Sequence, residues 1–345
     1  MTRGIQFPMF APQTEWVMPD GLKDLIGYKE IAIDLETNDP GLITSGSGSV
    51  VGRGHIAGIA VAVEGWSGYY PIQHENGGNI DKKLVFGWLQ EILNQENTTF
   101  IFHNAMYDVC WLRAAGLIIK GKIVDTMIAA SLVNENRFKF DLNSLAKEYV
   151  GIGKDENVLR IAAKDFGVDP KAEMWRMPAM YVGEYAERDA EVTLKLWQRL
   201  SIELHNEELM DIFNLETKLF PCLVDMRFKG VRVDLEHAAK LKKNLIIRED
   251  KILKNIKDLV GFDIEINAAR SIAKGFDKLK LPYDRTEKSN EPSFTKNFLQ
   301  NHPHPLPKAI ADAREINKAR TTFIDSITKH SSKGRIHADI NQIRS

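Results

Sequence analysis

The sequence predicts an α/β domain built on a central mixed sheet, followed by a mainly helical region. Three observations carry this. Short β-branched or apolar runs alternate with segments of helical spacing through the first part of the chain. The second part is Lys-rich and helical in period, with little strand signal. Charge divides the same way: residues 1–205 hold 20 Lys and Arg against 27 Asp and Glu, and residues 206–345 hold 26 against 20, so net charges are −7 and +6. A chain of 345 residues is long for one domain and suits two, which we divide as 1–205 and 206–345.

The elements follow in order. Residues 30–34 (EIAID) and 56–63 (IAGIAVAV) read as strands. GLITSGSGSVVGRG between them is a Gly/Ser-rich turn or flexible loop. Residues 82–93 (KKLVFGWLQEIL) have helical spacing. TTFIFHN is a buried strand ending at Asn104, a good N-cap for the helix AMYDVCWLRAAG, which stops on Gly116. KIVDTMIAASLV and FDLNSLAKEYVG continue the pattern, and residues 179–204 form a long helix without Pro. LETKLFPCLVDMRFKG is a helix ended by Gly230, GVRVD is extended, and LEHAAKLKKNLIIREDKILKNIKDLV is long, amphipathic and basic. RTEKSNEPS and HPHPLP are connectors, a helix spans 307–328, and KGRIHADINQI opens a hairpin. No internal repeat is present.

Composition excludes several classes. Hydrophobic residues make up 43% and charged residues 27%, enough for a full core without staples. The two cysteines, Cys110 and Cys222, each lie in an apolar segment, as expected of buried thiols in a reducing compartment. No apolar run approaches the ~18 residues of a membrane span. MTRGIQFPMFAPQ lacks the apolar centre of a signal peptide. The expected location is the cytoplasm, away from membranes.

Four carboxylates draw chemical interest. In IAIDLETND, Asp34 and Glu36 are expected where a strand ends. In MYVGEYAERDAEVTLKLWQRL, Asp189 falls on the apolar face of Val182, Tyr185, Ala186, Val192 and Leu196, one turn after Tyr185. An acid there is costly unless paired or metal-bound, and a buried salt bridge is the competing reading. Asp108 sits in the first turn of its helix, where an acid ordinarily complements the helix dipole for under ~1 kcal/mol. His103 reads as a satisfied strand-end histidine rather than a ligand. The combination decides: four carboxylates at one sheet edge would force some to take protons. Two divalent cations, Mg²⁺ or Mn²⁺, relieve that conflict through hard oxygen ligands. Such a pair about 4 Å apart clamps the attacking and leaving oxygens of an in-line phosphoryl displacement. Cysteines are too few and histidines too dispersed for zinc.

DLE at 34–36, HNAMYD at 103–108 and YAERD at 185–189 resemble the three motifs of the 3′–5′ proofreading exonucleases, in the tyrosine-containing branch of the ribonuclease H-like superfamily. VDTMIAASLV and FDLNSLAKEYVG resemble that domain's connecting segments. LETKLFPCLVDMRFKGVRVD resembles the start of the polymerase region of family A (polymerase I type) DNA polymerases. INAARSIAKGF, LPYDRTEKSNEPSFT, REINKARTTFIDSI and GRIHADINQ resemble its thumb, closing helix and hairpin. The resemblance runs from about residue 28 to the end.

It implies a metal-dependent 3′–5′ exonuclease that hydrolyses single-stranded or frayed DNA 3′ ends to nucleoside monophosphates. Asp34, Glu36 and Asp189 would hold one Mg²⁺, and Asp34 and Asp108 the second. Tyr185 would orient the attacking water; at a normal pKa near ~10 it is a poor base. Asn104 and Tyr107 would meet the terminal nucleotides, with core packing as the rival reading for Tyr107. Arg314 and Lys318 match positions that touch DNA backbone, and the basic second half would hold primer–template duplex without reading sequence. A ribonuclease of the same fold, or a non-catalytic primer–template-binding fragment, are the alternatives.

Two departures stand out. The chain ends at Ser345, where the family's palm and fingers would begin, so polymerisation is not expected from it alone, and a separate palm-and-fingers polypeptide is the partner this suggests. After the first motif the family commonly carries a leucine wedge, whereas here Pro40 and Gly41 precede Leu42.

Overall fold

Strand β1, Glu30–Asn38, is the centre of the first unit. The computed structural model describes residues 14–153 and 156–343, which leaves out MTRGIQFPMFAPQ, the stretch tested for a signal peptide, and the terminal Ser345. β1 alternates strictly: Ile31, Ile33 and Leu35 join one apolar cluster, while Ala32 joins the other. Asp34 and Glu36 therefore share the face of Ala32. The acids do not sit at the end of the strand, as the sequence reading had them. Pairing continues past both to Asn38, with an irregularity only between Glu36 and Thr37. The strand persists because the acids meet the smallest partners: Asp34 lies opposite Ala60 and Glu36 opposite Gly58.

β1 pairs antiparallel with β2, His55–Val63, which turns through Gly65 into β3, Trp66–Pro71. β3 was not foreseen, because WSGYYP carries Gly, Ser and Pro, which weaken any strand signal. On its other side β1 runs parallel to β4, Thr99–Phe102, which pairs with β5, Lys122–Asp125. The mixed sheet thus has the order β3-β2-β1-β4-β5. The loop between β1 and β2 holds two short helical turns, Leu42–Ser45 and Ser49–Val51.

Helices cover both faces. α1 (Lys82–Leu93) and α2 (Ala105–Ala114) pack on the Ile31 face, through Val85, Leu89, Cys110 and Leu112. α3 (Thr126–Val133), α4 (Asn157–Phe166) and α5 (Gly183–Asn206) pack on the Ala32 face. Trp197 of α5 donates its indole N–H to Glu30 at 2.8 Å, tying that helix to the start of β1.

The first compact unit runs through Lys229 and takes up the chain again from Ala338. Helix α6, Met210–Lys229, shares its core through Phe213, Phe220, Leu223 and Val224, so the compact units do not part at residue 205. Cys222 on α6 is exposed, not buried as its apolar neighbours suggested, because it lies off the stripe of Phe220, Leu223 and Val224. Cys110 is buried.

The second unit, Gly230–His337, is mainly helical. Its long helix α7 spans Leu235–Val260, with Asp234 capping through its carboxylate to the His237 N–H at 2.8 Å. α8 (Ala269–Lys278), α9 (Lys296–Asn301) and α10 (Pro305–Lys318) build one core around Phe276 and Ile310. The helix expected over 307–328 runs from 305 to 330, with wider π-type turns over Ala319–Asp325. The expected hairpin forms as Ser331–Ser332 with Arg335–Ile336, which also pairs with Val231–Arg232. Among the described residues no helix is long and apolar enough to cross a membrane.

Candidate carboxylate site

The site is built from β1, α2 and α5. Asp34 and Glu36 project from β1 toward the face covered by α5. On α5, Asp189 is 6% exposed and Ala186 and Ala190 are fully buried, so this stripe faces the sheet. Tyr185, one turn before Asp189, is hydrogen-bonded to it. Burial, then the charges of Asp189, Glu36 and Asp34, push the Tyr185 hydroxyl far above its ordinary range. That one phenol feels all three carboxylates means β1 and α5 bring them to a single place.

Asp108 joins from α2 and is 4% exposed. Burial raises its pKa well above the carboxylate range; the charges of Asp34, Asp125 and Glu36 add to this, and a hydrogen bond from the Leu35 N–H opposes it. All four predicted acids and Tyr185 are thus linked through one electrostatic neighbourhood. No three His, Cys, Asp or Glu side chains among the described residues are close enough together to hold a metal ion as they stand. The donor set is nonetheless all oxygen, and its like charges oppose one another as hard-cation ligands do.

Asn104 does not cap α2 with its side chain, as the sequence reading expected. It stands in the left-handed region at φ 65°, ψ 52°, and its side chain makes no capping bond. Its exposed position leaves the cap to Asp125, whose carboxylate accepts from the N–H groups of Asn104 at 3.0 Å and Ala105 at 2.8 Å. Burial outweighs these bonds and pushes Asp125 up to about 6. His103 is tied through Nδ1 to Thr126 Oγ1 at 2.8 Å.

Tyr107 is half-buried, with its hydroxyl 2.6 Å from Thr37 Oγ1 and its ring edge-on to Trp111 at 6.4 Å. Both Tyr107 and Asn104 line a cleft of about 370 Å³ in the first unit, with Leu42, Asp125, Arg227 and Asp339. Leu42 is 45% exposed there, despite the Pro40-Gly41 that precedes it. Arg227 is buried and ion-paired with Asp339.

Three residues near the site were not singled out from the sequence. One is Asp125. The others are Tyr69 and His74: the Tyr69 hydroxyl is 2.6 Å from His74 Nε2, and His74 Nδ1 is 2.9 Å from the Met177 carbonyl. A carbonyl only accepts, so Nδ1 carries the proton and Tyr69 donates to Nε2. Burial holds His74 down at about 4, hence neutral. Burial, then Glu36 and Asp34, raise Tyr69. The signal for Tyr69 was its place opposite Ala60, beside Asp34, which only the register reveals.

In the second unit, Arg314 donates from Nε to the Ile266 carbonyl at 2.6 Å and from Nη1 to the Phe294 carbonyl at 2.9 Å. Lys318, one turn on, is exposed.

Residues 11–205 match the family described as 3′–5′ exonuclease, and residues 235–345 match DNA polymerase family A. The chain is 33% identical to a DNA-directed DNA polymerase of Pseudomonas phage M6, over 99% of this chain and 53% of that one. It is 27% identical to DNA polymerase I of Pseudomonas aeruginosa, over 93% of this chain and 35% of that one. It therefore spans about half or less of these relatives' length. In structure it is similar to the POL domain of Pol1 from M. smegmatis, solved in complex with DNA primer–template and dNTP. The TM-score is 0.68 at 17% identity, over 92% of this chain and 50% of that one. The motifs, the sheet that gathers their acids and these matches lead to one conclusion: this chain belongs to the family A DNA polymerases, and comprises a 3′–5′ exonuclease domain and the start of the polymerase domain.

Proposed function

We propose that this chain is a metal-dependent 3′–5′ exonuclease that hydrolyses DNA 3′ ends to nucleoside monophosphates, the proofreading part of a replicative family A polymerase. The observation that carries it is the meeting of Asp34, Glu36 and Asp189 in one field around Tyr185, with Asp108 in the field of Asp34 and Glu36. The sheet order, three antiparallel strands followed by two parallel to the first, supports a ribonuclease H-like fold for the domain. We assign residues 1–205 to the exonuclease and 206–345 to the start of the polymerase region.

Asp34, Glu36 and Asp189 would hold one divalent cation, Mg²⁺ or Mn²⁺, and Asp34 with Asp108 the second. Bound there, the pair supplies Lewis-acid stabilisation of an in-line displacement and an acidified water. The rest falls to side chains. Burial holds the Tyr185 hydroxyl above its ordinary range, which suits orienting the attacking water rather than taking its proton. Asn104 and Tyr107 offer a polar edge and an aromatic face to the terminal nucleotides. Lys-rich α7 and Lys318 would hold duplex backbone, as suits a chain whose structural neighbour was solved on primer–template.

The test is a 5′-labelled single-stranded DNA incubated with Mg²⁺, beside Asp34→Ala and a metal-free control. A ladder shrinking from the 3′ end only in wild type with metal is the expected result. Intact DNA in every lane would leave a DNA-binding fragment, and faster loss of a matched RNA would make the enzyme a ribonuclease.

A further inference from the structure

Asp125 ends β5, directly beside Phe102 at the end of β4. Each strand leads at once into a helix: Asn104 and Ala105 begin α2, and Thr126 and Met127 begin α3. Helix starts expose N–H groups that their own turns cannot satisfy. Here one carboxylate serves both helices. Asp125 Oδ1 accepts from Met127 N–H at 2.8 Å and from Asn104 N–H at 3.0 Å, and Oδ2 accepts from Ala105 N–H at 2.8 Å. The residue is 8% exposed, so water offers no ready substitute.

α2 carries Asp108, one turn beyond Ala105, and its preceding residue Asn104 is held at positive φ without help from its own side chain. Turning the helix by one residue would swing Asp108 through about 100°. The Asn104 side chain does not prevent this; the two N–H bonds accepted by Asp125 oppose it, together with the Leu35 N–H bond to Asp108 and the buried packing of α2.

We propose that Asp125 is a positioning residue for the carboxylate site: by capping α2 from a neighbouring strand it fixes the entry conformation at Asn104 and the direction of Asp108. This rests on the exonuclease reading above for its kinetic consequence, though not for its structural one. Asp125 lies at the cleft beside Asn104 and its charge reaches Asp108, but its hydrogen bonds go to the starts of α2 and α3, and in this proposal it acts through α2.

The asymmetry of the bonds makes a selective test. In Asp125→Asn one oxygen becomes an NH₂ group. Its backbone partners, Asn104, Ala105, Met127 and Ile128, are all donors, so the remaining oxygen keeps the two bonds at Oδ1 and the NH₂ group confronts the Ala105 N–H. α3 keeps its cap and α2 loses one. Asp125→Ser also preserves an N-cap for α3 but is too short to serve α2. Three measurements follow on the full chain: amide hydrogen exchange, Mn²⁺ titration, and kcat and KM on single-stranded DNA.

Both variants should expose the Ala105 amide to exchange at least about tenfold faster, with Met127 still protected. Mn²⁺ affinity should fall about 10- to 100-fold, as supporting partners of metal ligands typically show, and kcat likewise, with KM within about threefold. Unchanged exchange at Ala105 in a folded variant overturns the proposal whatever the activity. So do wild-type Mn²⁺ affinity and kcat beside altered exchange. If wild type neither degrades DNA nor binds Mn²⁺, the exonuclease reading fails, while the exchange data still decide whether Asp125 holds α2. Should Asp125→Asn not fold, Asp125→Ser decides alone.

Discussion

A Cβ on Gly58 would lie 2.0 Å from the Tyr69 hydroxyl. Gly58 faces Glu36 in the sheet, and Tyr69 is held by His74, so the absence of a side chain at 58 lets a buried phenol approach the acids. Gly58→Ala must displace Tyr69 from His74 or open the strand pair. We expect a loss of ~1–3 kcal/mol, the range for overpacking a filled core, read by urea unfolding. Wild-type stability in this variant would show that Tyr69 has room to move.

Burial, then the charges of Asp34, Asp125 and Glu36, raise the metal-free Asp108 carboxyl well above the carboxylate range. Its folded-state pKa lies above the unfolded value of about 4, so the folded state binds the proton more tightly. Metal-free stability therefore falls as pH rises from about 4 toward the raised native value. Asp108→Asn cannot ionise and should flatten this slope, melting at least about 2–4 °C above wild type at pH 8 in EDTA. With Mg²⁺ the order should reverse in activity, the variant losing about 10³-fold or more in kcat. Parallel pH–melting curves for the two proteins would contradict the shared field.

Tyr185→Phe keeps the ring and deletes the hydroxyl bound to Asp189. A positioning role predicts a fall in kcat of about 10- to 100-fold, with little change in KM. Burial holds this phenol above its ordinary range, so a positioning role also predicts a wild-type pH–rate profile with no ionisation that Tyr185→Phe removes. A wild-type ionisation that vanishes in Tyr185→Phe would assign it proton transfer instead.

Arg314 and Lys318 lie one turn apart and should behave differently. Arg314→Met strips donors from the Ile266 and Phe294 carbonyls and should destabilise the second unit by ~1–3 kcal/mol. Exposed Lys318→Ala should leave melting unchanged and lower the salt slope of duplex binding by about 1. Equal effects of the two on both readouts would remove this distinction.

The sequence by itself determined the identity of the acids and the helices that carry them. The order and internal spacing of three motifs made Asp34, Glu36, Asp108, Tyr185 and Asp189 candidates, and helical period, which is local, stated the buried face of Asp189. α1 and α7 matched their predicted bounds for the same reason. Tertiary structure alone decided what depends on pairing between distant segments. β1 continues through its acids because Ala60 and Gly58, far along the chain, leave them space. β3 exists because β2 offers it a partner, against weak propensity of its own. Asn104 had the right residue type for a cap and does not act as one, because Asp125, 21 residues later, reaches the same donors from the adjacent strand. Arg314 turns inward because the carbonyls of Ile266 and Phe294 come within reach only when the second unit folds. Local pattern states which groups a chain carries; long-range register sets which of them meet.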